Sequence, residues 1–166
     1  MRVARLLAVT TLFATAAFVR SGPPWISIEY PANPYDAASR GAFLLVHAFH
    51  HGQNVAFPVS GTAEGLVGGS RRTVSLEFKP TSRPGVYALH KQWSGDGVWT
   101  LVLGVRQGDG DMNLAQAVVE LGATGQVASV TVPTRQQGAW LVPAGVSMRD
   151  IEAGLRTRAA QLAARD

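Results

Sequence analysis

Residues 72–105 read RTVSLEFKPTSRPGVYALHKQWSGDGVWTLVLGV. The first part alternates, with Val74, Leu76 and Phe78 on one face and Thr73, Ser75 and Glu77 on the other. A period of two is the mark of a half-buried β-strand. Pro80 to Pro84 then turns the chain. Two apolar runs follow, Val86–Trp93 and Val98–Val105, around Ser94-Gly95-Asp96-Gly97. Two β-type runs separated by a short glycine-containing link predict a β-hairpin.

The same short-strand, short-turn rhythm continues on both sides. Upstream, Trp25–Tyr30 alternates and is broken by Pro31 and Pro34. Ala42–Phe49 is nearly continuous apolar, as a central strand buried on both faces would be. Val55–Val59 reads as a strand in which Pro58 marks an edge or the strand's end. Residues 60–72 hold four glycines and read as a long loop or a weak hairpin. Downstream, Ala115–Leu121 and Val127–Val132 are joined through Gly122 and Gly125. The total of about eight short strands with regular turn signals predicts an all-β antiparallel β-sandwich of immunoglobulin-like type over residues 25–133.

The end changes character. Residues 134–146 read as a linker and 147–166 as an amphipathic helix. Ser147 is placed as N-cap with Asp150 at the third helical position, and Val146 and Ile151 sit where a hydrophobic staple would put them. Ile151, Leu155, Ala159 and Leu162 form one apolar stripe, with Arg149, Arg156, Arg158 and Arg165 around it. The stripe suits a helix packed on the sandwich. It also suits a docking helix, and Arg149, Leu155, Arg156, Arg158 and Leu162 are the partner-binding candidates on that reading.

A chain of 166 residues is one domain long. With 46% apolar and 16% charged residues it is built to fold. The net charge is +4, falling to about +2 without Arg2 and Arg5. The basic residues are scattered, so a nucleic-acid face is not expected. The absence of cysteine excludes disulfides, thiolate metal sites and a cysteine nucleophile.

Residues 1–19 carry a basic start (Arg2, Arg5), an uncharged apolar run from Leu6 to Val19, and small residues at Ala14 and Ala16. This is the order of a secretory signal peptide, or of an uncleaved anchor that touches the membrane through residues 6–19. As a helix the run reaches roughly 21 Å, short of a hydrocarbon core of about 30 Å, which favours cleavage. Residues 20–24 follow as a linker. The location expected is periplasmic or extracytoplasmic.

Side chains that carry chemistry are few. His47, His50, His51 and His90 are the metal candidates, for copper or zinc. Strand alternation puts His47 with Phe43, Leu45 and Phe49, and His50 on the other face. His47 and His51 lie about 13 Å apart along an extended strand, too far to share one ion directly. Asp109-Gly110-Asp111 lacks the further ligands of a calcium loop. There is no Gly-x-Ser-x-Gly elbow and no phosphate loop. Trp25, Trp93, Trp99 and Trp140 with Tyr87 form either core packing or a ligand-stacking platform.

Pro84-Gly85-Val86-Tyr87 through Trp93, then Gly97-Val98-Trp99-Thr100-Leu101-Val102, resembles the Gly-x-Tyr … Gly-x-Trp-x-Leu hairpin of the FixH and YtkA-like domains, bacterial extracytoplasmic immunoglobulin-like sandwiches. The likeness covers about a quarter of the chain. It implies an extracytoplasmic sandwich of a kind often found with metal handling or with assembly of membrane redox complexes. The chain has no methionine-rich or histidine-rich motif and adds a long tail, so the metal role is not carried over. The expectation is a non-catalytic binding and assembly module with no cofactor, an accessory structural subunit of a membrane complex, whose partner is another protein. The alternatives are a periplasmic copper or zinc handling protein and a carbohydrate-binding module.

Overall fold

Alternating strands bury their apolar faces only against another sheet or a helix, and this chain uses both. A computed structural model describes residues 22–109 and 113–164. The expected N-terminal targeting segment, Asp111 and Arg165 lie outside the described residues. One sheet holds β1 (Trp25–Glu29), β2 (Leu44–His50), β3 (Gln53–Asn54), β6 (Phe78–Pro80) and β7 (Val86–Leu89). Its order is β1-β2-β7-β6, with β3 added to the end of β2. The second sheet holds β4 (Val59–Val67), β5 (Ser70–Ser75), β8 (Val98–Arg106), β9 (Leu114–Leu121) and β10 (Val127–Thr131), in the order β10-β9-β8-β4-β5. All pairings are antiparallel. The described residues are thus mostly β, with one α-helix, at their C-terminal end.

The main core lies between these sheets. Leu44, Val46, Ala48 and Leu89 of the first meet Leu101, Leu103, Val105, Ala117 and Val119 of the second. Several are fully enclosed, and each such aliphatic side chain contributes roughly 1.5–3 kcal/mol. β2 is central, between β1 and β7, as its continuous apolar run predicts.

The outer face of the second sheet is covered by α1 (Met148–Ala163). Ile151 and Leu155 are buried against Val98 and Val102, with Val118, Val146, Ala159 and Leu162 packed around them. The predicted stripe and staple are therefore in place. Ser147 occupies the N-cap, but its hydroxyl makes no cap bond; its carbonyl accepts from the Asp150 and Ile151 amides. The outer face of the first sheet buries Leu45, Val86 and Ala88 under Ala32 and Ala42 of the 30–42 segment.

Four expectations change. The predicted hairpin of 86–93 with 98–105 does not form, because β7 and β8 belong to different sheets. β8 is buried on both faces and takes β4 and β9 as neighbours, which leaves no edge for β7. The Ser94–Gly97 turn makes a corner instead, where Gly97 has φ +82° and a Cβ would lie 2.5 Å from the Leu66 carbonyl oxygen. The alternating run from 72 to 78 is one strand in pattern but two in space. β5 ends at Ser75 in the second sheet and β6 starts at Phe78 in the first, while Val74, Leu76 and Phe78 all still face the core. Val55–Phe57, expected as part of a strand, is not strand, whereas residues 60–72 take the hairpin of the two forms open to them, the β4–β5 turn over Gly68-Gly69. The stretch read as a linker, 134–146, folds into a separate hairpin of β11 (Thr134–Gln137) and β12 (Trp140–Pro143), turning at Gly138 with φ +62°.

Candidate functional site

The four histidines are dispersed. His47 points to the outer face of the first sheet, where its Nε2 is 2.9 Å from Glu29 Oε2. Arg83 reaches the same oxygen at 3.5 Å and Asp36 Oδ2 at 3.5 Å. His50, at the end of β2, packs its ring beside Phe57, with Nε2 3.0 Å from the Gly22 carbonyl. His51 follows at φ +50°, its ring edge-on to His50 at 4.2 Å. His90 has Nδ1 2.9 Å from the Gly41 carbonyl. Among the described residues no three of the side chains His, Asp or Glu come together as a ligand set. The alternation argument holds: His47 and His50 face opposite ways.

The tryptophans divide in the same fashion. Trp93 and Trp99 are buried in the core, Trp93 edge-on to Phe43 at 5.1 Å. Trp25 is half-buried on β1, and only Trp140 stands clear. Tyr87 donates its hydroxyl to the Phe57 carbonyl at 2.8 Å. These rings do not line one platform.

The helix residues proposed for a partner are mostly engaged inside the domain. Leu155 is buried and Leu162 packs on the sheet. Arg158 lies across β8 and β9, donating from Nη1 to the carbonyls of Trp99 (3.0 Å) and Leu121 (3.1 Å), and from Nη2 to the Thr100 hydroxyl. Arg149 and Arg156 face solvent, the latter paired with Glu152 one turn back. A docking helix would need Leu155 outside; the sheet has it.

Beneath α1 runs a polar row that no local motif announces. The register aligns Thr73, Glu64, Thr100, Glu120 and Ser129 across β5, β4, β8, β9 and β10. Paired residues share a face, so all five project outward, toward the helix side. Thr73 donates to Glu64 Oε2 at 2.7 Å, and Ser129 donates to Glu120 Oε2 at 2.9 Å. Arg71 pairs with Glu64 at 2.8 Å, and Arg158 Nε lies 3.6 Å from Glu120 Oε1. A charged pair this well hydrogen-bonded is tolerated where an isolated charge would not be.

Burial alone would push the Glu64 carboxyl up. Hydrogen bonds from Thr62 and Thr73, and the Arg71 guanidinium, outweigh it and hold the group below its usual value. Burial pulls the Arg158 guanidinium down, with Glu120 opposing. A carboxyl depressed in the folded state contributes stability that is present above its unfolded pKa and is lost as pH falls through the folded one. Urea unfolding between pH 6 and 3 should therefore show a loss of stability below about pH 4.5 that is smaller in Glu64→Gln. Equal slopes in the two proteins would mean that Glu64 titrates as it does in the unfolded chain.

The remaining unusual surface is the β11–β12 hairpin. Trp140 is 76% exposed and Leu141 60%. Its base is fixed: Val142 and Pro143 are buried, the Ala144 amide donates to the Pro133 carbonyl, and the Val146 amide donates to Gln116 Oε1 at 2.9 Å. Asp109 is exposed in the loop before β9. A shallow groove of about 330 Å³ runs between the start of α1 and the β9–β10 edge, with Thr100 and Glu120 in its floor. Among the described residues no helix is long and apolar enough to cross a membrane. Sequence reading missed the hairpin because its first strand, Thr134–Gln137, is polar throughout; the signal was Gly138 between Gln136-Gln137 and Trp140-Leu141-Val142.

Comparison of the chain with protein-family models, with curated proteins and with solved structures gave no match.

Proposed function

We propose that this chain is a non-catalytic, immunoglobulin-like binding and assembly module of the cell envelope, an accessory structural subunit of a membrane complex. The observation that carries the reading is the β11–β12 hairpin, which belongs to neither large sheet and presents Trp140 and Leu141 to solvent on a firmly held base. An exposed aromatic–aliphatic pair on an ordered element marks an interaction site. The immunoglobulin-like assignment is supported by strand order. β1-β2-β7-β6 corresponds to strands A-B-E-D, and β9-β8-β4-β5 to G-F-C-C′, with β10 added beyond. Extracytoplasmic placement is supported by the order of residues in 1–19.

The test is the full chain expressed in a bacterial cell with a photo-crosslinking residue in place of Trp140, against the same probe at exposed Ala160 of α1. The reading expects membrane-fraction recovery and a discrete adduct from position 140 only. Recovery in the cytoplasmic fraction, or identical adducts from both positions, overturns it.

A further inference from the structure

We infer that the tip of the β11–β12 hairpin is an interfacial membrane anchor that seats on a bilayer with anionic headgroups; this rests on the docking role given to that hairpin above. Three features of the hairpin point to lipid. The register pairs Gln137 with Trp140 and Gln136 with Leu141. Paired residues share a face and neighbours alternate, so Trp140 and Leu141 project from opposite faces of the same two-stranded ribbon. A flat protein surface covers one face of such a ribbon and leaves the other in water; only a fitted cleft in a partner would enclose both. A bilayer interface surrounds the tip and covers both.

The charge pattern agrees. From Gln136 to Met148 no residue is ionisable, and Arg135 and Arg149, both exposed, bracket the stretch. Met148, at the start of α1, adds another exposed apolar side chain beside Arg149. Tryptophan and aliphatic side chains flanked in sequence by arginine are the residue types that interfacial elements use.

The position in the fold also agrees. Gly22 is held by His50, His50 packs on Phe57, and the Pro58 carbonyl accepts from the Arg106 amide. Val59 pairs with Val105 and Val105 with Ala115. The next residue, Gln116, holds Val146 at the base of the hairpin. The hairpin and Gly22 therefore emerge at one end of the packed sheets. In sequence, Gly22 stands just after the apolar run Leu6–Val19. The hairpin thus lies at the end of the domain that an anchored run would bring to a bilayer.

The chain has no cysteine, so Leu141→Cys supplies a unique thiol for a polarity-sensitive fluorophore. Full-length protein so labelled is mixed with vesicles of phosphatidylcholine alone or with phosphatidylglycerol; Ala160→Cys is the control. On phosphatidylglycerol vesicles the emission at 141 should move to shorter wavelength and become quenchable by spin-labelled lipid near the headgroups, while 160 stays unchanged. Trp140→Ser should abolish most of the shift. Arg149→Gln should raise the phosphatidylglycerol needed for half the shift by about fivefold. All these sites are exposed, so circular dichroism should be unaltered. If 141 stays in water on vesicles to which the chain has bound, the lipid proposal fails. If it is then shielded in native membranes, the docking reading survives with a protein at the tip. If it is shielded in neither, both fail.

Discussion

Trp99→Ala is expected to cost about 4 kcal/mol of stability, close to the whole margin of a small domain. The ring lies on Gly65 of the neighbouring strand; a Cβ built there would be 2.6 Å from the indole. Glycine is the residue that lets the ring sit flat against β4, so ring and strand fit as one unit. The indole also closes the corner between the sheets, donating Nε1–H to the Asp96 carbonyl at 2.7 Å. Truncation removes a buried ring and leaves a cavity beside a fixed backbone; the Asp96 carbonyl keeps the Ser94 hydroxyl as a donor, so the cost lies in the ring. Gly65→Ala, which keeps the ring but crowds it, should cost less, about 1–3 kcal/mol. Urea denaturation of the three proteins checks the order. A loss below about 1 kcal/mol for Trp99→Ala would mean that the ring is not part of the core.

Arg158→Met should be the second large effect. The stem of methionine keeps the packing under α1, so the change isolates the head group. The guanidinium serves two carbonyls and the Thr100 hydroxyl, and Thr100 is 1% exposed. Hydrogen bonds from a charged donor to buried acceptors support a loss of about 2–3 kcal/mol, trimmed because Glu120 keeps contact with water. Arg158→Lys should recover only part, since an ammonium cannot span three acceptors in one plane. Hydrogen exchange should show α1 opening first. If the α1 amides are as protected in Arg158→Met as in the parent, the helix is held by its apolar stripe alone.

The fold class and the C-terminal helix are legible in the sequence because both follow from local periodicity. Ile151, Leu155, Ala159 and Leu162 announce a face whatever covers it. Sheet membership is different. The 72–78 run keeps its alternation while it leaves one sheet for the other, since both sheets share one core and ask the same pattern of it. The Ser94–Gly97 turn reads alike for a hairpin and for a corner. What separates them is that β8 is wanted by two other strands, and that is a property of the whole chain. Of the candidate site, parity separates His47 from His50, and length along the strand separates His47 from His51. The polar row could not be read at all: Glu64, Thr100 and Glu120 come together only through register. The helix stays open between packing and docking in the sequence because a stripe does not say which surface takes it; the second sheet takes Ile151 and Leu155.

α1 follows every described strand in the sequence, and together with Val146 it covers Val98, Thr100 and Val102 on β8. Synthesis runs from the N-terminus, so both sheets can pair before their lid exists. Until the turns of α1 leave the ribosome, an apolar strip with a half-formed polar row faces outward. Non-local strand pairing is slow, and such uncovered strips are where nascent β-proteins associate wrongly. The C-terminal helix therefore times the maturation of this domain: a chain stopped short of Leu155 would hold its strands and be sticky on one side.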